Sequence, residues 1–540
     1  MRPPIAGPEV RPGEGETEAG RRGDAGGDPS LVRVGVVLGG ASVLVGAGAF
    51  AGDFADWPGV VHLVAVPPLD LYADARLLVA RTPDTWLLVP MLALALTLRV
   101  GVWWLVLGPS RAAARAFGVL YVASLPAALV AAALDAAGRA ALYTQLVWAA
   151  LGVTLLGAVL GWRAFARRVR RVPDDTGAAL GVLGTYGALL VVLGWLVARD
   201  GGPAPWPLVP VSAAATGAVT VLLIRSRTPT GRWRRFRLVP AATIVLLGAL
   251  VVSGLRVPTA GTAPARPRPG SVLLVAGTAS ATGSAALFHL DPRRLGYRCR
   301  QVWYFSYTGH RPGARLAGPV CAIRDHRRYR GPDTMAPLAE LVDHLVVQAR
   351  ALPRPLVLVT HSQGAWIAHA ALADGRLTGV SHLVMLGPFA RSLQPYPPPG
   401  RSGPGAPAGD ALRVLSRVGR AIGFTSFDPD RPLPASLQGT RDAVAHLLSR
   451  PRPPGVRALA VPAALDVPLV YADPWARYGV TRACPFPNTH GGLVTSPFVA
   501  ARVAGWLDGR SSPPCRTGAW ITGPLTAPFG APAPRSGSGR

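Results

Sequence analysis

The apolar positions of this chain fall into two regimes. Up to about residue 256 they form long, nearly unbroken runs, at 32–51, 87–108, 113–134, 141–162, 178–198, 206–224 and 238–255. Each is close to the ~20 residues that a helix needs to cross a bilayer, so the pattern predicts seven spans. The stretch 58–68 is short and runs into Pro67 and Pro68, which makes it a loop or re-entrant segment and the one candidate for an eighth span. From 271 onward the apolar runs shorten and alternate with helix-period segments. Ser271 to Ala276 reads as a strand, and 333–350 as an amphipathic helix with Leu338, Leu341, Val342 and Leu345 on one face. The run from 355 to 361 is a second strand, followed by an alanine-rich helix and by the short buried strand Ser381 to Leu386. Such alternation demands a mostly parallel sheet covered on both faces. The expected fold is an N-terminal all-α transmembrane bundle of about seven spans, followed by an α/β domain.

The boundaries follow from composition. Residues 1–30 lack periodicity and read as a disordered cytoplasmic tail. The membrane region covers 31–256, a proline-rich spacer 257–270, the α/β domain 271–510, and a flexible Pro, Gly and Ser rich tail 511–540. Some thirty mostly polar residues precede the first apolar run, so it does not read as a cleaved signal peptide.

Charge orients the chain. The sequence has 56 basic against 28 acidic residues, a formal net charge of +28, and every basic residue is arginine. Arg163, Arg167, Arg168, Arg170 and Arg171 follow the fourth run; Arg225, Arg227, Arg232, Arg234, Arg235 and Arg237 follow the sixth. Positively charged loops are retained in the cytoplasm, so both loops are expected there. The first loop carries Asp53, Asp56, Asp70, Asp74 and Asp84 against only Arg76 and Arg81, and should face out. An inside N-terminus and seven crossings leave the C-terminal half outside. All four cysteines, Cys299, Cys321, Cys484 and Cys515, lie in that half, which fits an oxidising space. Short loops close most easily, which predicts Cys299 with Cys321 and Cys484 with Cys515. A positive outer surface favours anionic lipid headgroups or envelope polymers; nothing in the pattern suggests a nucleic-acid partner. Arg99, inside the second run, reads as a snorkelling arginine, and Pro126 as a kink. The membrane half shows no dense row of polar positions, so it is expected to anchor or present lipid rather than transport.

The segment 355–367, PLVLVTHSQGAWI, carries the chemistry. A β-rich run breaks at Ser362 between His361 and Gln363, and Gly364 opens a helix. This is the pattern of a nucleophile elbow, in which a sharp turn lifts a serine off the sheet and frees the next N–H for an oxyanion. Thr360 stands where the usual motif has its first glycine. Upstream, the strand ending at Ala276 leads into Gly277, Thr278, Ala279 and Ser280. Over 271–510 the chain resembles the α/β-hydrolase superfamily, in particular its lipase and esterase-like members. The resemblance implies that the N–H groups of Thr278 and Gln363 hold the developing negative charge, and that nucleophile, acid and histidine follow in that order. His490, in PNTHGGLV, is the last histidine and the expected general base. Asp466, after the apolar run 456–465, is the preferred acid, with 467–472 read as the last strand; Asp473 is the alternative. The insertion 388–455, with helices expected at 410–422 and 439–449, is by the resemblance a lid over the acyl site. The resulting expectation is a membrane-anchored extracytoplasmic serine hydrolase of carboxylic esters, lipids among them, with no metal or organic cofactor. Two alternatives stand beside it: an envelope acyltransferase with the same triad, and a transport or sensing protein with an inactive hydrolase-like outer domain.

Overall fold

The computed structural model describes residues 31–51, 57–108, 110–168, 176–199, 207–225, 265–463, 466, 474–486 and 488–510. The N-terminal part is helical: α1 (Leu31–Ala51), α2 (Leu69–Arg81), α3 (Leu88–Leu107), α4 (Arg111–Ala140), α5 (Thr144–Arg168), α6 (Thr176–Arg199) and α7 (Leu208–Arg225). Among the described residues four helices are long and apolar enough to cross a membrane: Leu31–Ala51, Thr85–Leu107, Arg111–Ala140 and Gln145–Phe165. The described residues therefore do not support the expected count of seven. Helices α6 and α7 run 24 and 18 residues, and the apolar stretches described within them are Thr185–Gly194 and Leu208–Leu222. The run at 238–255 lies outside the described residues. The stretch at 58–68 holds a 3-10 segment, Pro58–Val64, with Val60, Val61, Leu63 and Val64 buried.

Asp70 and Asp74, read from the sequence as outward loop charges, belong to α2 and are paired inside the bundle. Arg99 on α3 donates through Nε and Nη2 to the two Asp74 oxygens, both at 2.8 Å, and through Nη1 to Leu63 O at 2.5 Å. The fully buried Asp70 accepts from Tyr121 on α4 at 2.6 Å and from Trp103 at 3.5 Å. Asp135 on α4 pairs with Arg76 at 3.3 Å and with Arg139 at 3.0 Å. Arg99 therefore does not snorkel, and the bundle does hold a dense polar cluster, contrary to the sequence reading. The cause is α2, a helix of 13 residues that does not cross and carries its carboxylates back among the apolar helices.

The C-terminal domain is built on β1 (Ser271–Val275), β2 (Val302–Tyr304), β5 (Leu356–His361), β6 (Val380–Leu386), β7 (Arg457–Val461) and β8 (Thr481–Arg482), with a hairpin of β3 (His310–Leu316) and β4 (Ile323–His326) beside it. The main sheet has the order β2-β1-β5-β6-β7-β8, and all its pairs are parallel. Every residue of β1 and β5 is buried, as expected of strands covered on both faces. The domain's helices are α8 (Leu338–Arg350), α9 (Gly364–Ala373), α10 (Ala406–Ala421), α11 (Ala443–Ser449), α12 (Gly492–Thr495) and α13 (Pro497–Leu507), of which α10 lies away from the sheet. Arg268 ties the segment before β1 to Leu295 O, Ala504 O and Asp508, so the domain begins a few residues before 271. Cys299 and Cys321 are disulfide-bonded, with Cα atoms 5.3 Å apart. Cys484 is also disulfide-bonded; its expected partner, Cys515, lies outside the described residues. The last strand is Thr481–Arg482, not the run at 467–472, which also lies outside them.

The insertion 388–455 is not a free flap. Its helix α10 packs on α4 and α2. Thr85 Oγ1 donates to Asp410 and Ser402 Oγ to Asp84, each at 2.5 Å, Gly403 N–H donates to Pro83 O at 2.8 Å, and the Tyr143 and Thr425 hydroxyls lie 2.9 Å apart. With 30 residues α4 is about 45 Å long against ~30 Å of hydrocarbon. Its C-terminal end packs on the C-terminal domain: Asp135 to Ala140 are all buried, and Ala137, Ala140 and Ala141 pack with Met335, Tyr396, Leu412 and Phe427. From this joint α5 runs 25 residues away, which puts its exposed Arg163 and Arg167 roughly 30 Å along the helix from the C-terminal domain.

Removing Arg99 strands two carboxylates inside the bundle. Arg99→Leu is expected to cost about 3–5 kcal/mol, the usual effect of breaking a buried pair. Thermal unfolding in detergent should show a clear drop in melting temperature, while Arg163→Ala leaves it unchanged.

Candidate functional site

The strand order reverses at β1, with β2 on one side and β5 on the other. In open parallel sheets the crevice beyond the carboxyl ends of such a pair is where ligands bind. Here that crevice is formed by the loop after Val275 and by the turn after His361.

Ser362 occupies that turn with φ 55°, a left-handed conformation that costs a non-glycine residue about 1–2 kcal/mol. The turn is tight because α9 starts almost against β1. A Cβ on Gly364 would lie 2.6 Å from Val275 O, and one on Gly277 would lie 2.9 Å from Ser362 Cβ. Both positions accept only glycine. Thr360, by contrast, is accommodated inside the sheet, where its Oγ1 donates to Val384 O at 3.1 Å.

The loop after β1 is locked to the elbow. Ala279 has φ 57°, and its N–H donates to Thr334 Oγ1 at 2.9 Å. The buried Gln363 side chain hydrogen-bonds Thr278 Oγ1 and donates to Thr334 O at 2.6 Å. Tyr307 OH donates to Ala276 O at 2.5 Å beneath it. Among the described residues neither the Thr278 nor the Gln363 N–H donates to another backbone group, so two backbone donors beside Ser362 are unengaged.

His490 and Asp466 meet. Past β7 and β8 an isolated parallel bridge between Ala463 and Phe486 still holds the two segments side by side. One then delivers Asp466 and the other His490, with Nδ1 at 2.5 Å from Asp466 Oδ2. The carboxylate is 1% exposed and the imidazole 21%, so one side of the ring remains accessible. The ring lies between His361, at a centroid distance of 4.6 Å, and Phe389, at 5.5 Å. Gly387 makes room, since a Cβ there would lie 2.9 Å from His490 Nδ1. Ser362 N–H donates to Leu386 O at 2.9 Å, which places the serine backbone next to that glycine. No hydrogen bond joins Ser362 Oγ to His490 in this arrangement. Asp473 lies outside the described residues. Three other histidines are placed elsewhere: His369 in α9 faces Arg450 O at 3.2 Å, His382 packs against Trp506, and His446 is on α11.

Chemically, the arrangement offers a hydroxyl on a strained turn and an imidazole oriented by a buried carboxylate. With Nδ1–H given to Asp466, the other ring nitrogen is left as a proton acceptor. Residues that sequence reasoning did not single out complete the support: His361, Thr334, Tyr307, Gly387 and Phe389. Of these only His361, next to the serine, carried a signal in its position. No protein family matches the chain, and no curated protein sequence does.

His361 is held neutral. Burial, and secondarily the neighbouring His490, push its pKa down to about 3, while its Nε2 lies 3.1 Å from His490 O. An unfolded histidine takes up a proton below its ordinary 6.5, whereas the folded one does not until about 3. Stability should therefore fall as pH drops through that window, by about 1.4 kcal/mol per pH unit for one such group. His361→Gln should lessen the dependence of melting temperature on pH between 6.5 and 4, since His326, His369 and His382, also pushed down to about 4 by burial, keep their share. An unchanged slope would contradict the assignment.

Proposed function

We propose that the C-terminal domain is a serine hydrolase of the α/β-hydrolase type, carried by the helical region and acting outside the cytoplasm on carboxylic esters, lipids among them. The observation that supports this reading best is the Asp466–His490 pair, delivered to the strained Ser362 at the switch point of the sheet. Chain order agrees, with nucleophile, acid and histidine following the central, penultimate and last strands.

In this mechanism Ser362 Oγ attacks the ester carbonyl as its proton passes to His490 Nε2. Asp466 keeps the imidazole in the right tautomer and stabilises its charged form. The N–H groups of Thr278 and Gln363 receive the oxyanion, each such donor being worth about 3–4 kcal/mol in the transition state. The imidazolium returns the proton to the leaving alcohol as the C–O bond breaks, and water, activated by the same ring, releases the acid from the serine.

Three features support the outside location. The Cys299–Cys321 disulfide fits an oxidising space. Arg163 and Arg167 lie toward the end of α5 remote from the domain, as positive-inside retention requires. The beginning of α3 and the α4–α5 junction both meet the domain through the insertion.

Ser362→Ala is expected to abolish labelling by a fluorophosphonate probe and ester hydrolysis, with expression intact. Persistent labelling would overturn the assignment. His490→Ala and Asp466→Asn should each lower kcat by several orders of magnitude with little change in KM; if only Asp473→Asn has that effect, the acid is Asp473. A reporter active only outside the cytoplasm should work when fused after Gly270 and fail within 225–237, and the reverse result would move the domain to the cytoplasm.

A further inference from the structure

Helix α10 is apolar on two faces, and only one of them is covered by protein. Ala408, Leu412, Ser416 and Gly419 are buried on the side that packs against the helical region. On the other side Val414, Val418 and Ile422 follow one another at four-residue intervals, 56%, 54% and 73% exposed, and Phe424 just beyond the helix is 65% exposed. Residues spaced by four share one stripe of a helix. An uninterrupted apolar stripe at such exposure is not what water selects.

We propose that α10 is an interfacial helix whose outer stripe is immersed in the bilayer, among the headgroups and upper acyl chains of the leaflet beside the C-terminal domain. The occupant is lipid because the stripe continues a lipid-facing surface. The Phe424 ring lies 6.5 Å from the Tyr143 ring at the junction of α4 and α5. Beyond that junction α4 and α5 present Val130, Trp148, Leu155 and Leu156 outward, the exposed belt of two candidate spans. Tyrosine and tryptophan at this level are the usual anchors of a membrane–water interface. Arg417, exposed one turn from Val414, is placed for a lipid phosphate.

The helix is fixed in this position. Arg413, 7% exposed, donates to Asp430, Asp410 and Pro397 O, and the contacts of Asp410, Ser402, Gly403 and Thr425 with the helical region hold both ends. A swinging lid would have to break them. The same segment goes on to the site: Ser426 Oγ donates to Ala279 O at 3.5 Å, and Phe427 packs with Met335. The bilayer surface thus begins within a few residues of the Thr278 loop. The immersion itself does not depend on the hydrolase reading.

The test uses the full chain reconstituted into phosphatidylcholine–phosphatidylglycerol vesicles. No described cysteine is free, which allows single-cysteine labelling. Val418→Cys and Ile422→Cys would each carry a polarity-sensitive fluorophore. Val347→Cys serves as a control, an exposed apolar position on α8 outside the stripe. Labels at 418 and 422 are expected to emit to the blue of the control and to be quenched several-fold more by shallow nitroxide lipids than by aqueous iodide. Water-like emission with iodide quenching at both positions would overturn the proposal. So would shielding from both quenchers, which would mean that protein, a second copy or another segment, covers the stripe. The readout needs no catalysis, so an inert Ser362 would leave it unaffected.

Discussion

The close passage of α9 beneath the end of β1 sets the geometry of the whole C-terminal domain's upper edge. β1 and β5 are parallel neighbours in a register that pairs Val275 with Thr360. Two residues further along, Gly277 faces Ser362, and there is no room between them for a side chain. The chain can turn from strand to helix there only by putting Ser362 into the left-handed region. That cost is small against what fixes it. Each buried valine or leucine of β1 and β5 contributes about 1.5–3 kcal/mol by its removal from water. Strain at the serine is thus maintained by the sheet around it, as strain at functional sites generally is.

The ends of the neighbouring strands inherit this arrangement. Ser362 N–H bonds to Leu386 O, and Gly387 N–H to Val461 O, so the tips of β5, β6 and β7 are stitched together in turn. Gly387, with φ 58°, lets the imidazole of His490 lie directly on that seam. Gln363 does the corresponding work on the other side by joining elbow, Thr278 loop and Thr334. A neutral His361 beside the His490 ring adds a hydrogen-bonded contact to His490 O without adding a charge.

The helical region is more than a tether in physical terms. Its polar cluster ties α2, which does not cross, to α3 and α4, and so holds the 82–85 turn where α10 needs it. The C-terminal end of α4 provides the second support. Domain and bundle meet through Met335 and through the insertion, whose polar bonds to the bundle lie toward the two ends of α10.

Much of this was legible in the residues. Period-two and period-3.6 patterns marked β1, β5, β6 and the helices near 338–350 and 406–421 to within a few residues, because periodicity depends only on near neighbours along the chain. The elbow was legible for the same reason, and the Cys299–Cys321 bond because its loop is short. Hydropathy offered seven runs, of which four form helices long and apolar enough to cross a membrane among the described residues. Asp70, Asp74 and Arg99 were misread as loop and snorkelling charges, since their pairing is between residues 25 or more positions apart. The short strands β2 and β8 leave almost no periodic trace and exist because a neighbouring strand offers them hydrogen bonds. The sequence determined which segments would be helix or strand and which serine would stand at a turn. Only the tertiary structure decided that Asp466 meets His490 and that Thr425 meets Tyr143 across 282 positions, because such contacts are fixed by packing in space and leave no local pattern.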